Sequence, residues 1–291
     1  MAAGAPESVF AARATLGEGP VWVAREAALW FVDIKEHRVH RFDPATREGK
    51  SWPAPLEIGW VLPAHGGGFV AGMEDGVYSF DPAAGTFERL HHVEPHLPTN
   101  RLNDAAVDAA GRLWFGTMDN GEGAITGRLY VHEAGAVRDS GVPPVCITNG
   151  PSFSPDGRTL YHTDTLGGVI HAVTVEDGRA GAIREFARID PADGYPDGST
   201  VDVEGCVWTG LFGGWAVRRY DPAGALIETV RFPVANITKI AFGGPDLRTA
   251  YATTARKGLD AQALGAQPEA GNLFAFDAGV AGLPAVEAHI A

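Results

Sequence analysis

Cysteine and long apolar runs are scarce in this chain of 291 residues. The two cysteines, Cys146 and Cys206, do not form a Cys-x-x-Cys pair. Thiolate zinc sites and dithiol redox centres are therefore poor interpretations, and two reduced thiols buried in strands are expected. No stretch reaches the roughly 18 apolar residues that a membrane-spanning helix needs.

Positive charge is also in short supply, with 23 Lys and Arg against 36 Asp and Glu and a formal net charge of −13. A chain this acidic is a poor partner for nucleic acid or for an anionic membrane surface, so neither is expected. The N-terminal segment lacks the basic region and the apolar run of a secretory signal. We expect a cytoplasmic protein, a monomer or weak oligomer, whose partner is a small molecule or a cation.

Glycine and proline are abundant, at 38 and 20 residues, but follow no collagen period and form no low-complexity run. They indicate tight turns between short strands. Six apolar segments of similar shape follow such turns, 40 to 47 residues apart, and they start at Leu29, Phe69, Leu113, Leu160, Val207 and Ala250. A repeat of this length is typical of a β-propeller. The sequence predicts an all-β fold, a six-bladed β-propeller that forms a single domain over residues 1–291.

A closed ring requires the last blade to take its outer strand from elsewhere in the chain. The candidates are Ser8–Arg13 and Pro284–Ile290. We expect the N-terminal segment, because joining both ends of the chain in one blade fixes the circle. The long segment 256–271 is expected to cover one mouth of the channel.

The same position precedes each apolar segment by ten or eleven residues, and it is occupied by Glu18, Ile58, Asn103, Asn149, Asp197 and Lys239. The first strand of every propeller blade lines the central channel, so these side chains should converge on one axis. Glu18, Asn149 and Asp197 each precede a glycine, which alone is an ordinary turn. Converging carboxylates, however, need a compensating cation. The oxygen donors favour Ca²⁺, Mg²⁺ or Mn²⁺, with Zn²⁺ and Fe²⁺ left open.

Asn103 occupies this position in the third repeat, and Arg101 lies two residues before it. A guanidinium and an amide are suited to bind hydroxyl or carbonyl oxygens of a polar substrate; a salt bridge at the rim is the alternative for Arg101. Asp119 and Glu122 follow the second strand of the same repeat, and either one is a candidate acceptor for substrate hydroxyls. A solvated acidic loop is the alternative there. Lys239 is expected to neutralise the acidic axis.

These motifs resemble, in order and spacing, the SMP-30/gluconolactonase/regucalcin-like family over almost the whole chain. The matching elements are Glu18-Gly19-Pro20, Arg101-Leu102-Asn103-Asp104, Gly116-Thr117-Met118, Asn149-Gly150, Pro196-Asp197-Gly198 and Gln267-Pro268-Glu269-Ala270-Gly271. The resemblance implies a six-bladed propeller with one divalent metal on Glu18, Asn149 and Asp197. It also implies that Asp197 donates and accepts the proton, and that Arg101 and Asn103 contact substrate. The further acidic contact falls on Asp119 or Glu122.

The resemblance implies metal-dependent hydrolysis of a small sugar lactone to its aldonic acid, in sugar catabolism. A carboxylate bound to a metal is a weakened base, so Asp104 and a metal-bound hydroxide are alternatives to Asp197. A non-catalytic metal- or ligand-binding propeller is a second hypothesis, since propellers often serve as binding platforms. A phosphoesterase that uses the same metal is a third, but it is disfavoured by the few basic groups near the axis.

Overall fold

Six four-stranded antiparallel sheets form the protein in the computed structural model, which describes residues 3–290. The blades are numbered in chain order. Blade one contains Gly17–Val23, Ala28–Asp33, Arg38–Asp43 and Glu48–Pro53; blade two Ile58–Pro63, Phe69–Met73, Gly76–Asp81 and Thr86–His92; blade three Asn100–Val107, Leu113–Asp119, Leu129–Glu133 and Ala136–Asp139. Blade four contains Thr148–Phe153, Thr159–Asp164, Val169–Glu176 and Arg179–Arg188; blade five Tyr195–Val201, Val207–Phe212, Ala216–Tyr220 and Leu226–Arg231; blade six Ile237–Gly243, Thr249–Thr254, Leu273–Asp277 and Glu7–Phe10. The predicted six-bladed propeller is confirmed.

The inner strand of each blade packs against the inner strands of the blades before and after it, and blade six packs against blade one. The blades therefore form a closed ring in which blades three and six lie opposite each other. Helical structure among residues 3–290 consists of the short 3₁₀ turns Ala24–Glu26 and Pro191–Asp193 and the helix Ala261–Ala266. No helix in this part of the chain has the length and hydrophobicity needed to cross a lipid bilayer.

The ring is closed by the N-terminal strand, as predicted. Glu7–Phe10 runs antiparallel to Leu273–Asp277, with Glu7 opposite Ala275. The C-terminal segment instead crosses the back of the ring, the side on which the inner strands end. There the amide of Ala288 donates to the carbonyl of Pro63 at 2.9 Å, and the amide of His289 donates to that of Gly111 at 2.8 Å.

The same polar contact anchors two of the buried tryptophans, one in blade three and one in blade five. In blade three, Trp114 Nε1 donates to Asp108 Oδ2 at 3.0 Å, and in blade five Trp208 Nε1 donates to Asp202 Oδ2 at 2.9 Å. Both indoles are fully buried. Because a buried N–H without a partner is costly, the acid at the end of the inner strand allows a large ring to be buried in the second strand.

All six inner strands contain a β-bulge near their start. The register shifts fall between Glu18 and Val21, Ile58 and Trp60, Leu102 and Ala105, Asn149 and Ser152, Pro196 and Ser199, and Ile237 and Ile240. A regular strand points neighbouring side chains to opposite faces, and a bulge changes that alternation. At the third bulge, Asn103 contacts blade four while the adjacent Asp104 reaches blade six across the channel.

The first prediction concerns ring closure. Phe10 is half-buried and packs against Phe31 and Phe42 of blade one, with ring centroids 6.3 and 5.6 Å apart, so it joins blade six to blade one. Phe10→Ala should lower the free energy of unfolding by about 2 kcal/mol, because half-burial reduces the usual cost of a lost aromatic ring. Hydrogen exchange should show faster exchange of Leu273–Asp277.

Phe87→Ala is the matched control, because half-buried Phe87 stacks on Phe80 at 4.3 Å within blade two. It should cost a similar free energy without changing exchange in Leu273–Asp277. Equal exchange of that strand in both variants would contradict a specific role of Phe10 in closure.

Candidate active site

The channel opens into a cavity of about 310 Å³ at the front mouth, defined here as the side on which the inner strands begin. Its polar lining consists of Glu18, Arg101, Asn103, Glu122, Asn149, Thr165, Tyr195, Asp197 and Lys257. Its apolar lining consists of Leu16, Met118, Ile147, Leu166 and Phe212. A cavity at the small end of the usual range for ligand pockets, with several converging polar groups, is suited to a small polar molecule.

Glu18 and Asp197 bring two carboxylates into this cavity from inner strands of blades one and five. Their residues are only 5% and 6% exposed. Burial, together with the smaller effect of the neighbouring charge of Asp104, raises the pKa of Glu18 to about 7. Burial and the neighbouring charge of Glu18 also raise the pKa of Asp197 well above its usual value. Two negative charges in this place are therefore costly without a nearby cation.

Asn149 is fixed in the same cavity by a chain of hydrogen bonds. Its Nδ2 donates to Thr165 Oγ1 at 2.9 Å, which turns the amide oxygen toward Asn103. Asn103 Nδ2 donates to that Oδ1 at 2.9 Å and to the carbonyl of Thr148 at 2.7 Å. An amide oxygen has two lone pairs, so Asn149 Oδ1 keeps one for another ligand.

Arg101 is buried beside Asn103 and is not at the exposed rim, being 2% exposed. Its Nη1 donates to Asn103 Oδ1 at 2.7 Å and its Nε donates to Asn120 Oδ1 at 3.0 Å. Glu57 Oε2 lies 3.6 Å from Nε. Arg101 therefore does not form a salt bridge at the exposed rim, although the carboxylate of Glu57 lies near its buried guanidinium. Arg101 and Asn103 both line the cavity. The Nδ2 group of Asn103 is used within the protein, whereas its Oδ1, like that of Asn149, keeps one lone pair.

Asp104 and Lys239 form an ion pair across the channel, deeper than the cavity-lining residues. Lys239 Nζ donates to both carboxylate oxygens of Asp104, at 2.7 and 2.8 Å, and both residues are buried. Lys239 thus neutralises a channel carboxylate, as the sequence indicated. Because both oxygens of Asp104 are occupied and the residue does not line the cavity, the structure disfavours Asp104 as an alternative base.

The two acidic candidates in the loop of blade three occupy different places. Asp119 does not line the cavity; its carboxylate accepts hydrogen bonds from the amides of Gly123 and Ala124, both at 2.9 Å, which lower its pKa. The expectation that Asp119 reaches the mouth is therefore corrected, because the carboxylate is used to fold its own loop. Glu122 does line the cavity and forms an ion pair with Lys257.

The donor set is suitable for a divalent cation. Within residues 3–290, no group of three or more His, Cys, Asp and Glu side chains is arranged to hold a metal ion. The oxygen donors of the cavity are instead two buried carboxylates and one amide, from Glu18, Asp197 and Asn149. Hard oxygen donors with net negative charge are what Ca²⁺, Mg²⁺ and Mn²⁺ prefer, and a cation would offset the buried charges.

Several residues of the site were missed by the sequence interpretation. Lys257 and Thr165 line the cavity, and Asn120 and Glu57 hold Arg101. Lys257, Thr165 and Asn120 all follow the second strand of a blade by one to three residues. In an antiparallel blade the second strand ends at the front mouth, where the inner strand begins. A polar residue just after the second strand could therefore have been predicted to lie near the cavity. Glu57 gave no comparable signal.

The chain matches the SMP-30/gluconolactonase/LRE-like region family over residues 16–256. A 6-deoxy-6-sulfogluconolactonase from Pseudomonas putida is 36% identical over 271 residues, which cover 92% of this chain and 92% of that protein. An L-arabinolactonase from Azospirillum brasilense is 35% identical over 279 residues, covering 93% of this chain and 91% of that protein.

Among solved structures, a calcium-binding regucalcin from Agrobacterium tumefaciens has a TM-score of 0.93 at 29% identity and covers 98% of this chain and 97% of its own. The family match spans most of the chain, and the two lactonases exceed 30% identity over nearly its full length. All residues that line the cavity except Lys257 lie within the matched range. This propeller therefore belongs to the SMP-30/gluconolactonase family.

Proposed function

We propose that this protein hydrolyses a small sugar lactone to the corresponding aldonic acid, in sugar catabolism, with one divalent cation as cofactor. The observation that carries the proposal is a single cavity in which two buried carboxylates face a buried guanidinium. The relatives named as lactonases support the same reaction class. The cytoplasmic location and the monomeric or weakly oligomeric state remain predictions.

Glu18, Asn149 and Asp197 would hold the cation. When bound, it supplies Lewis-acid polarisation of the lactone carbonyl and stabilises negative charge on the carbonyl oxygen in the transition state. The protein contributes a ligand set whose orientation is fixed before substrate arrives, because Asn149 is held by Thr165 and Asn103, and Glu18 Oε2 accepts the amide of Gly19 at 2.9 Å. Such fixed ligands need little reorganisation on binding.

Asp197 is the proposed proton acceptor and donor. Its carboxylate would take a proton from the attacking water and return one to the ring oxygen as the lactone opens. Its main chain is fixed by the blade-five bulge and by Thr209 Oγ1, which donates to the carbonyl of Asp197 at 3.3 Å. The backbone from which the carboxylate projects into the cavity is thereby fixed.

Substrate would be oriented by Arg101, Asn103 and Glu122, which line the cavity. Arg101 donates hydrogen bonds to oxygen acceptors, and Glu122 accepts them from hydroxyls. Asn103 also positions Arg101 and Asn149, because its amide is bonded to both, and its Oδ1 keeps one lone pair for a substrate hydroxyl. The apolar lining residues Leu16, Ile147 and Phe212 are suited to the C–H face of a sugar ring. The two relatives are named for a sulfonated and for a neutral sugar lactone. The reaction class therefore does not fix the sugar, which depends on the side chains that line this cavity.

A non-catalytic calcium-binding propeller is the second candidate, supported by the calcium-binding regucalcin of similar structure. A site that only binds calcium does not require a buried guanidinium such as that of Arg101, bonded to Asn103 beside the metal ligands. The presence of Arg101 therefore favours an enzyme. A phosphoesterase is less favoured, because the charge of Arg101 is partly compensated by Glu57 at 3.6 Å.

The proposal predicts that chelation abolishes lactone hydrolysis. Metal-stripped protein should show no rate above spontaneous hydrolysis in a pH-drop assay on aldonolactones. Adding back Ca²⁺, Mg²⁺, Mn²⁺, Zn²⁺ or Fe²⁺ one at a time should restore activity with at least one of them. Undiminished hydrolysis by thoroughly stripped protein would contradict the metal requirement.

Arg101→Lys should lower kcat/KM by ~10- to 100-fold, the usual cost of a lost charge-assisted hydrogen bond. The planar guanidinium of Arg101 can bond Asn103, Asn120 and substrate at the same time, and a single lysine ammonium cannot. Metal affinity should be unchanged. Arg128→Lys is the control, because Arg128 pairs with Asp139 on the exposed surface at 3.0 Å and should be silent. Equal kcat/KM in both variants would assign Arg101 a purely structural role.

Asp197→Asn and Glu18→Gln should separate base from ligand. Each change keeps one oxygen donor and removes one negative charge. Glu18→Gln should weaken metal binding, and excess metal should rescue its kcat. Asp197→Asn should lose ~10²-fold or more in kcat even at saturating metal, because saturation does not replace a general base.

The measurement is kcat for both variants across a metal titration. Recovery of Asp197→Asn to nearly the wild-type rate would show that Asp197 is a ligand and that the base lies elsewhere.

A further inference from the structure

An ion pair crosses the front mouth of the channel. Lys257 Nζ donates to a carboxylate oxygen of Glu122, and both residues line the cavity. Glu122 lies in the loop after the second strand of blade three, and Lys257 follows the second strand of blade six. These blades lie opposite each other in the ring, so the bond spans the opening. Substrate entering the cavity must pass beside this pair.

Both ends of the bridge are fixed by the backbone. The amide of Lys257 donates to the carbonyl of Thr15 at 2.8 Å, and its own carbonyl accepts Asn236 Nδ2 at 3.0 Å. The amide of Glu122 donates to the carbonyl of Asp119 at 2.9 Å. Glu122 has a φ of +57°, in the left-handed region that non-glycine residues seldom adopt. The loop holds this conformation through the hydrogen bonds to Asp119, and strain of this kind is concentrated at functional sites.

The bridge pairs one positive with one negative charge at the mouth. The side chains of Lys257 and Glu122 are 34% and 36% exposed, so both groups face solvent at the mouth. Without Glu122, an ammonium would stand at the cavity wall and attract an anionic substituent. Without Lys257, a carboxylate would repel it. The pair cancels both effects and leaves one donor and one acceptor for hydroxyl groups.

We propose that the Glu122–Lys257 bridge is a specificity determinant that favours neutral polyhydroxylated lactones over lactones with an anionic exocyclic group. This inference rests on the proposed lactonase function and names its substrate class. The charge of the whole chain acts in the same direction, since a net charge of −13 disfavours the approach of anions. Lys257 and Glu122 therefore act as one unit, and the two single variants should have opposite effects.

The test measures kcat/KM for two substrates: D-glucono-lactone, and the matched lactone with a carboxylate in place of the terminal hydroxymethyl group. Glu122→Gln should raise the anionic-to-neutral ratio by about tenfold, and Lys257→Met should lower it by about tenfold, as expected for one partly screened charge. The double variant should return to within about threefold of wild type, because both charges are removed. Raising ionic strength from about 0.01 M to about 1 M should shrink both shifts.

Arg25→Met is the matched control, because it breaks the ion pair with Glu287 on the back of the ring. It should leave the ratio unchanged, and thermal melts should show that all variants are folded. Equal ratios in the single variants and wild type, or shifts of the same sign in both, would overturn the proposal. Absence of any lactone hydrolysis by the wild type would instead refute the proposed function on which it rests.

Discussion

The repulsion between two buried carboxylates is the constraint on which the rest of the site depends. Glu18 and Asp197 lie in a cavity where burial raises the pKa of both, and the charge of Glu18 raises the pKa of Asp197 further. A fold that merely needed stability would replace them with neutral side chains. Their presence beside an amide oxygen and a guanidinium supports the proposed cation site. The buried Asp104–Lys239 pair beneath them is already neutral.

This convergence exists only because the ring is closed. Glu18, Asn149 and Asp197 belong to three different blades, so no single blade contains the site. Pairing of Glu7–Phe10 with Leu273–Asp277 fixes the circumference of the ring, and the bulge in every inner strand sets which side chains face the channel. Two ion pairs between blades three and six then bound the site: Asp104–Lys239 lies beneath it and Glu122–Lys257 across its mouth. Fold stability and site geometry are thus coupled.

The sequence was enough to predict the fold and four of the six side chains expected to converge. Glu18, Asn103, Asn149 and Asp197 line the cavity, whereas Ile58 is buried in the hydrophobic core and Lys239 pairs with Asp104. The period of 40 to 47 residues requires one supersecondary unit per repeat, and the polar residue before each apolar segment marks the inner strand.

The direction in which each side chain points was harder to predict. Asn103 and Asp197 lie within their bulges, whereas Glu18 and Asn149 are the last paired residues before them. Spacing alone cannot show this difference, nor that the Asp119 carboxylate is used by its own loop. The Glu122–Lys257 bridge joins residues 135 positions apart, which no local pattern encodes.

The central claim is that the buried carboxylates form a cation site. Isothermal titration calorimetry of metal-stripped protein with Ca²⁺, Mg²⁺ and Mn²⁺ in turn, combined with thermal melts at the same concentrations, tests it without reference to any substrate. The account predicts a single divalent ion per chain for at least one of these metals, with a melting temperature that rises as the site fills, because a ligand that binds only the folded state stabilises it. Absence of binding heat and of any rise in melting temperature with all three ions would contradict it.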